Sequence, residues 1–161
     1  MQILSSDCDS AEIYANYENQ KTMNCELCRP DLGEVIIKTA LFRVVLVDDA
    51  NYPGYCRLIW NGHAREMTDL SKVNLATMWQ ALSKLEDVVR KVMRPDKINL
   101  ASLGNATPHL HWHVIPRYQD DANFPDSIWA STDRQSKNVE ERRALLPKLR
   151  LEVAKVFRTW S

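Results

Sequence analysis

The segment His-Leu-His-Trp-His-Val-Ile-Pro-Arg, residues 109–117, carries three of the chain's four histidines at alternate positions. Side chains of a β-strand alternate between the two faces of a sheet, and each residue advances about 3.3 Å. A strand here therefore places His109, His111 and His113 on one face, with neighbouring histidines about 6.6 Å apart. The apolar residues between them face a core. We expect the strand to end near Pro116, which has no N–H for a sheet hydrogen bond.

A row of imidazoles is poor material for a protein core. Each neutral ring carries one donor and one acceptor that must be hydrogen-bonded or solvated. The row suits a phosphate group, because a neutral imidazole can attack phosphorus while its neighbours donate to the phosphate oxygens. A metal-binding row or a solvated strand face would show the same pattern, so the histidines alone do not separate these alternatives.

Composition narrows the class of protein. The 161 residues are 45% hydrophobic and 26% charged, which is typical of one globular domain. The formal net charge is zero, which argues against a nucleic-acid partner, because such binding needs a clustered basic surface. We expect no membrane association and a cytoplasmic location, because the chain lacks a long apolar run and its polar, acidic start does not resemble a secretory signal. The cysteines are then expected to be thiols or metal ligands rather than disulfides; they are Cys8, Cys25, Cys28 and Cys56.

Hydrophobic patterns predict a single α+β domain over residues 1–161. Runs rich in β-branched residues predict four strands before the histidine strand, at Glu34–Lys38, Ala40–Val47, Tyr55–Trp60 and Lys97–Leu103. Consecutive strands joined by short turns predict a mainly antiparallel sheet of about five strands, packed with two main helices.

The helices are predicted from apolar residues at helical spacing. The N-terminal arm, residues 1–20, includes a short helix after Ser10. A long helix covers residues 70–93, with Thr68 or Asp69 as its cap. A C-terminal helix covers residues 138–160, although proline at 147 could move its start to near 146.

These segments together resemble the histidine-triad (HIT) superfamily of nucleotide hydrolases and transferases. The family signature His-Φ-His-Φ-His-Φ-Φ, in which Φ is hydrophobic, is similar to residues 109–115. Residues 99–105 resemble the Asn-containing strand and Gly-rich turn before the triad, and residues 48–54 resemble the nucleoside-side strand and turn. Cys25-Glu-Leu-Cys28 resembles the zinc half-site of a bacterial, nucleotide hydrolase-like subgroup, so the resemblance covers roughly residues 20–130.

The resemblance implies a homodimeric nucleotide hydrolase, in which two sheets join edge to edge. The substrate would be a nucleoside phosphate ester, phosphoramidate or dinucleoside polyphosphate, the last with magnesium as an option. His111 is the expected nucleophile, because only the middle histidine has a neighbour on each side to steer a phosphate. In the family this residue takes a nucleotidyl group, which water then releases. Its Nδ1–H should be held by an acceptor, most simply a backbone carbonyl, so that Nε2 is free.

The other triad members are expected to assist His111. His113 would donate to phosphate oxygens, and His109 completes the catalytic set. Two alternatives to a hydrolase stay open. One is a nucleotidyl transferase, and the other is a nucleotide-binding or zinc-stabilised interaction protein with little turnover.

Five polar residues are candidates for substrate binding. Asn105 and Thr107 lie on the turn before the histidine strand and could hold phosphate oxygens. This turn departs from the family's usual Gly-Gln-Ser/Thr turn, and an ordinary turn is the alternative. Asp48 or Asp49 could accept from ribose hydroxyls, although carboxylates in turns are often simply solvated. Asn99 could contact ribose or phosphate.

The Cys25-x-x-Cys28 motif is the start of a predicted metal site. A closed structural zinc site needs four ligands. The resemblance supplies the other two as His63 and His109. A redox motif, or two free thiols with a surface histidine, is the alternative.

A second departure from the family concerns Tyr55, which follows the Pro-Gly turn where many members have histidine. The Tyr55 hydroxyl has a pKa near 10 and cannot relay a proton in the same way as histidine. It could still fix a histidine ring by hydrogen bonding.

Overall fold

The computed structural model describes residues 25–29 and 33–160. The predicted N-terminal arm and the short helix after Ser10 lie outside these residues. Five strands form one wholly antiparallel sheet in the order β1-β2-β3-β5-β4. They are β1 (Glu34–Lys38), β2 (Phe42–Leu46), β3 (Cys56–Trp60), β4 (Lys97–Ala101) and β5 (His111–Arg117). The predicted α+β class and the five-stranded antiparallel sheet are confirmed.

Within residues 25–29 and 33–160, three α-helices accompany the sheet: α1 (Lys72–Met93), α2 (Val139–Arg143) and α3 (Leu146–Phe157). Two short 3₁₀ turns, Glu26–Cys28 and Met67–Asp69, precede β1 and α1. In the described part of the chain, no helix combines the length and apolar character needed to cross a lipid bilayer.

The two faces of the sheet have different environments. Alternate residues of the three central strands, such as Val44, Leu58 and Val114, are fully buried in one core with the apolar sides of α1 and α3. The intervening residues, including His111 and His113, belong to the opposite face. Strand alternation therefore puts the helices on one side of the sheet and the histidines on the other.

The cap of α1 differs from the prediction. Ser71 is the N-cap, and its Oγ accepts from the backbone N of Asn74 at 3.2 Å. Asp69 instead belongs to the preceding 3₁₀ turn, where its Oδ2 accepts from the backbone N–H groups of Arg65 and Glu66 at 3.0 and 2.9 Å. The prediction of Thr68 or Asp69 was wrong because Asp69 caps its own turn. The helix ends, as expected, just before Pro95.

The segment predicted as one C-terminal helix over residues 138–160 forms two helices, and the alternative start near Leu146 is confirmed. Pro147 lies in the first turn of α3, where a missing N–H costs no helical hydrogen bond. The chain therefore breaks between Arg143 and Leu146, and the longer helix begins at Leu146.

Strand β5 also runs one residue past its predicted end. Pro116 pairs with Ile98 of β4, and the strand finishes at Arg117. The ladder between β3 and β5 already stops at Val114, so Pro116 has a strand on one side only. This is a position that tolerates proline in a sheet.

A buried ion pair ties the segment after β5 to the sheet. Arg117 and Asp121 are 1% and 2% exposed. Arg117 donates from Nε and Nη2 to the two oxygens of Asp121 at 2.7 and 3.0 Å, and from Nη1 to Asn99 at 2.6 Å. Asp121 also accepts from the backbone N–H groups of Tyr118, Asn123 and Phe124. The irregular segment that follows is therefore held by charge-assisted hydrogen bonds, and its residues Ala122 and Ile128 also pack in an apolar cluster.

We expect Asp121→Asn to destabilise the fold by about 3–5 kcal/mol, because it leaves the buried guanidinium of Arg117 without its counter-charge. The matched control is Asp87→Asn, which breaks the exposed pair with Lys91 and should cost less than about 1 kcal/mol. Urea unfolding followed by tryptophan fluorescence measures both. Equal losses in the two variants would contradict the expectation.

The same pair has a pH signature. Burial by itself raises the pKa of Asp121. The hydrogen bonds from Arg117 and from the backbone lower this pKa by more than burial raises it, so the net shift is downward. A depressed folded-state pKa contributes stability above the unfolded value, about 3.9, and this contribution is lost as pH falls. The difference between wild type and Asp121→Asn should therefore shrink at acid pH.

Candidate functional site

The register between β3 and β5 assembles the candidate site. His113 pairs with Arg57, and His111 pairs with Ile59, so these side chains share the face opposite the helices. A cavity of about 340 Å³ opens on this face. Its lining includes both histidines together with Glu26, Leu27, Arg57, Leu103, Asn105, Ala106, Thr107 and Trp129.

Among the residues that the structure describes, one ring nitrogen of His111 has a hydrogen-bond partner and the other has none. Its Nδ1 lies 2.6 Å from the backbone oxygen of His109, which can only accept, so Nδ1 carries the proton. The hydroxyl of Ser102 donates to the backbone oxygen of His111 at 3.0 Å and secures the strand. Burial holds the pKa of His111 below its usual range, although the hydrogen bond to His109 opposes this. The result is a neutral ring whose Nε2 is a bare lone pair, as a nucleophile requires.

His113 lies beside His111, with ring centroids 4.8 Å apart. The Nδ1 atom of His113 is hydrogen-bonded to the hydroxyl of Tyr55. Burial, with further contributions from His111 and Arg57, lowers the pKa of His113 to about 4. Both cavity histidines are therefore neutral near pH 7.

Two cavity residues, Arg57 and Trp129, were missed by the sequence predictions. Among the described residues that line the cavity, Arg57 is the one permanent cation. A lone charge within an apolar strand opposite the histidines was the signal that could have found it. Trp129 is 50% exposed and lies edge-on to the His113 ring, with centroids 5.1 Å apart. It belongs to an irregular segment, where periodicity gives no signal.

The four predicted metal ligands do meet. The ligand atoms of Cys25, Cys28, His63 and His109 all lie within 4.8 Å of one another. The Cys28 sulfur is 3.3 Å from Nδ1 of His63 and 3.4 Å from Nδ1 of His109, and the Cys25 sulfur is 3.4 Å from the same His109 nitrogen. Sulfur and nitrogen ligands on one tetrahedral ion are about 3.6 Å apart. The donor set and its spacing therefore fit a metal ion.

His109 is oriented for ligation rather than for the cavity. Its Nε2 lies 2.7 Å from the backbone oxygen of Trp60, so this nitrogen carries the proton and Nδ1 presents a lone pair to the two sulfurs. His109 also precedes β5 and is not among the residues that line the cavity. The structure separates it from the other two histidines.

Arg43 supports the turn that carries the cysteines. It is 7% exposed, and its Nη2 donates to the backbone oxygen of Leu27 at 2.6 Å. Burial and the nearby Cys25 raise the pKa of the Cys28 thiol to about 11, while the charge of Arg43 opposes this. A metal ion would supply the additional positive charge that the paired sulfurs need as thiolates.

The candidate substrate-binding residues are divided among three places. Asn105 and Thr107 line the histidine cavity. Asp48 and Asp49 line a separate cavity of about 350 Å³, together with Glu34, Arg143 and Arg150. Asn99 accepts from Arg117 and lines a third cavity, which Trp129 borders on one side. The structure therefore does not bring Asp48, Asp49 or Asn99 to the histidine cavity.

Comparison with known proteins gives a family match and several relatives. The model of the HIT domain family matches residues 32–120, more than half of the chain. The structure is similar to that of a histidine triad protein from Bradyrhizobium japonicum, with 30% identity and a TM-score of 0.63. That alignment covers 74% of this chain and 89% of the other.

Two curated relatives have named activities. An AP-4-A phosphorylase from Mycobacterium tuberculosis is 30% identical over 105 residues, which are 62% of this chain and 54% of that protein. A bis(5'-nucleosyl)-tetraphosphatase [asymmetrical] from Schizosaccharomyces pombe is 24% identical over 92 residues, which are 54% of this chain and 50% of that protein. The chain thus spans about half the length of these relatives.

Proposed function

The chain belongs to the HIT domain family, and on that premise we propose that it cleaves a dinucleoside polyphosphate or a nucleoside phosphoramidate through a nucleotidyl-His111 intermediate. One observation carries the proposal. The Nδ1–H of His111 is bound to a backbone carbonyl, which leaves a bare Nε2 on a neutral ring at a cavity. The two named relatives act on tetraphosphates of this class, which supports the polyphosphate as substrate.

The reaction has two displacements at phosphorus. Nε2 of His111 attacks the phosphorus, a P–N bond forms, and the bond to the leaving group breaks with its electron pair on that group. Water then attacks the same phosphorus, the P–N bond breaks, and its electrons return to Nε2 while the water proton leaves to solvent. The nucleotide is released and His111 is regenerated.

Other cavity residues have proposed supporting roles. His113 donates a hydrogen bond to a phosphate oxygen, and Arg57 pairs with the negative charge of the phosphates. Asn105 and Thr107 line the same cavity, and we expect them to contact the phosphates from the preceding turn. Ribose binding by Asp48, Asp49 or Asn99 and a magnesium ion on the polyphosphate stay predictions.

Phosphorolysis is the second candidate, because one relative is named a phosphorylase. In that reaction inorganic phosphate replaces water in the second displacement, and the product is a nucleoside diphosphate. Phosphorolysis is a form of the nucleotidyl-transferase alternative in which inorganic phosphate is the acceptor. The first displacement is the same, so the two candidates share His111 as nucleophile.

We propose that the Cys25-Cys28-His63-His109 cluster holds a structural zinc ion. Two sulfurs and two imidazole nitrogens are a usual closed zinc set, and the His109 ring already has its outer hydrogen bond to Trp60. When bound, the ion joins the N-terminal turn to the sheet and contributes folding energy.

A homodimer through β4 is also proposed. Among the strands that the structure describes, β4 is at one edge of the sheet, with a described strand on one side of its backbone only. Leu100 on this strand and Trp79 on α1 are 40% and 49% exposed, and Trp79 packs on Trp112 of β5. A second copy paired along β4 would cover both the free edge and these apolar side chains.

His111→Ala should reduce turnover of diadenosine tetraphosphate by at least about 100-fold, because the variant has no nucleophile at this position. Wild type should trap one nucleotidyl group per chain in rapid-quench experiments, and the variant none, while both still bind the nucleotide. Near wild-type turnover by the variant would overturn the mechanism. Products made with and without inorganic phosphate distinguish the candidates: hydrolysis gives AMP and ATP, and phosphorolysis gives ADP and ATP.

Metal analysis of freshly prepared protein should find one zinc per chain. Cys28→Ala should lower the zinc content to less than about a tenth of an ion per chain. It should also lower the melting temperature, because the free energy of zinc binding contributes to the free energy of folding. Cys56→Ala is the matched control, since Cys56 is buried in the helix-side core, away from the cluster. Zinc retained by Cys28→Ala, or lost equally from Cys56→Ala, would contradict the proposed ligand set.

Sedimentation of wild type should show a dimer, and Trp79→Glu should dissociate it, because the new charge would be buried at the contact. Leu151→Glu is the control, since Leu151 is 65% exposed on α3 and lies outside the proposed interface. The interface is wrong if Trp79→Glu remains as dimeric as Leu151→Glu.

A further inference from the structure

The hydroxyl of Tyr55 lies between Arg57 and His113. Arg57 Nε is 3.4 Å from the hydroxyl oxygen, and Nδ1 of His113 is hydrogen-bonded to it on the other side. Tyr55 is 3% exposed. Within the described residues these are the only two hydrogen-bond partners of the hydroxyl. Arg57, Tyr55 and His113 therefore form a short row of hydrogen-bonded groups that ends at the histidine cavity.

Which group donates in each of these hydrogen bonds follows from the chemistry of Arg57. A guanidinium has donors and no acceptor, so the hydroxyl oxygen of Tyr55 accepts from Arg57. The single hydroxyl proton is then left for Nδ1 of His113. Burial raises the pKa of Tyr55, so the phenol keeps that proton at neutral pH. A neutral imidazole that accepts at Nδ1 carries its own proton on Nε2.

His111 has the opposite arrangement, because its Nδ1–H is held by the carbonyl of His109. Two neutral rings with centroids 4.8 Å apart are thus set to different tautomers by two different partners. One ring presents a lone pair, and its neighbour presents an N–H.

We propose that Tyr55 is a positioning residue which, supported by Arg57, fixes His113 as the Nε2–H tautomer beside the bare Nε2 of His111. The tautomer stands on the hydrogen bonds alone, whereas its use in turnover rests on the proposed function. His113 then holds a phosphate oxygen by hydrogen bonding and transfers no proton, because losing its Nε2 proton would require the buried phenol to give up its own. No covalent bond of His113 or Tyr55 changes in the reaction.

The direct test is long-range ¹H–¹⁵N NMR of wild-type protein labelled in its histidines, which reads the protonated nitrogen of each ring. We expect Nε2–H at His113 and Nδ1–H at His111. A Nδ1–H tautomer at His113 would overturn the proposal. The spectrum needs no substrate, so this reading is independent of whether the proposed function is right. Absence of turnover on every nucleotide would refute the proposed function alone.

The second test compares two Tyr→Phe variants. Tyr55→Phe should shift the Nδ1 resonance of His113 towards that of a nitrogen without a donor and lower kcat roughly tenfold with little change in KM, about the effect of one net hydrogen bond. Tyr52→Phe is matched, because Tyr52 is buried in the same apolar cluster and its hydroxyl is bound to Asn123 instead. The His113 resonances should be unchanged in Tyr52→Phe. Unchanged resonances and kcat in Tyr55→Phe, or equal changes in both variants, would overturn the role of Tyr55.

Discussion

The antiparallel ladder between β3 and β5 is the constraint on which the site depends. It sets Arg57 opposite His113 and Ile59 opposite His111, and it brings Tyr55 to the flank of the His113 ring. A slip of one residue in this register would turn both histidines into the helix-side core and expose Val114 in their place. The apolar face under α1 therefore specifies which side chains form the histidine face, although none of the described residues that line the histidine cavity belongs to α1, α2 or α3.

Three histidines at alternate positions have three different environments, and the partner of Nδ1 distinguishes them. In His109 this atom faces two thiols, in His111 it donates to a carbonyl, and in His113 it is bound to a phenol. Burial is the first cause that lowers the pKa in all three rings, so the direction of this shift does not distinguish them. Their different chemistry comes from single hydrogen bonds at the ring edge.

Sequence patterns predicted the parts of this protein that depend on local periodicity or on a motif. The five strands, α1 and the grouping of the two cysteines with His63 and His109 follow from alternation, helical spacing and the resemblance. The cap of α1 depends on competition between neighbouring polar groups. The break before Leu146 depends on Pro147, which is tolerated in the first turn of a helix. Trp129 reaches His113 from an irregular segment that the buried pair of Arg117 and Asp121 helps to tie to the sheet, and no periodicity encodes this segment. Asp48 and Asp49 were predicted by motif position, but their side chains line a different cavity.

His109 belongs to two neighbourhoods at once. Its ring faces the thiols, and its carbonyl holds the His111 ring. Only the covalent bonds of one residue separate these contacts, so no loop lies between them to take up a displacement. A backbone rotation large enough to withdraw the ring would also turn the carbonyl. A shift of the turn that carries the cysteines would therefore be transmitted through His109 to the orientation of the His111 imidazole.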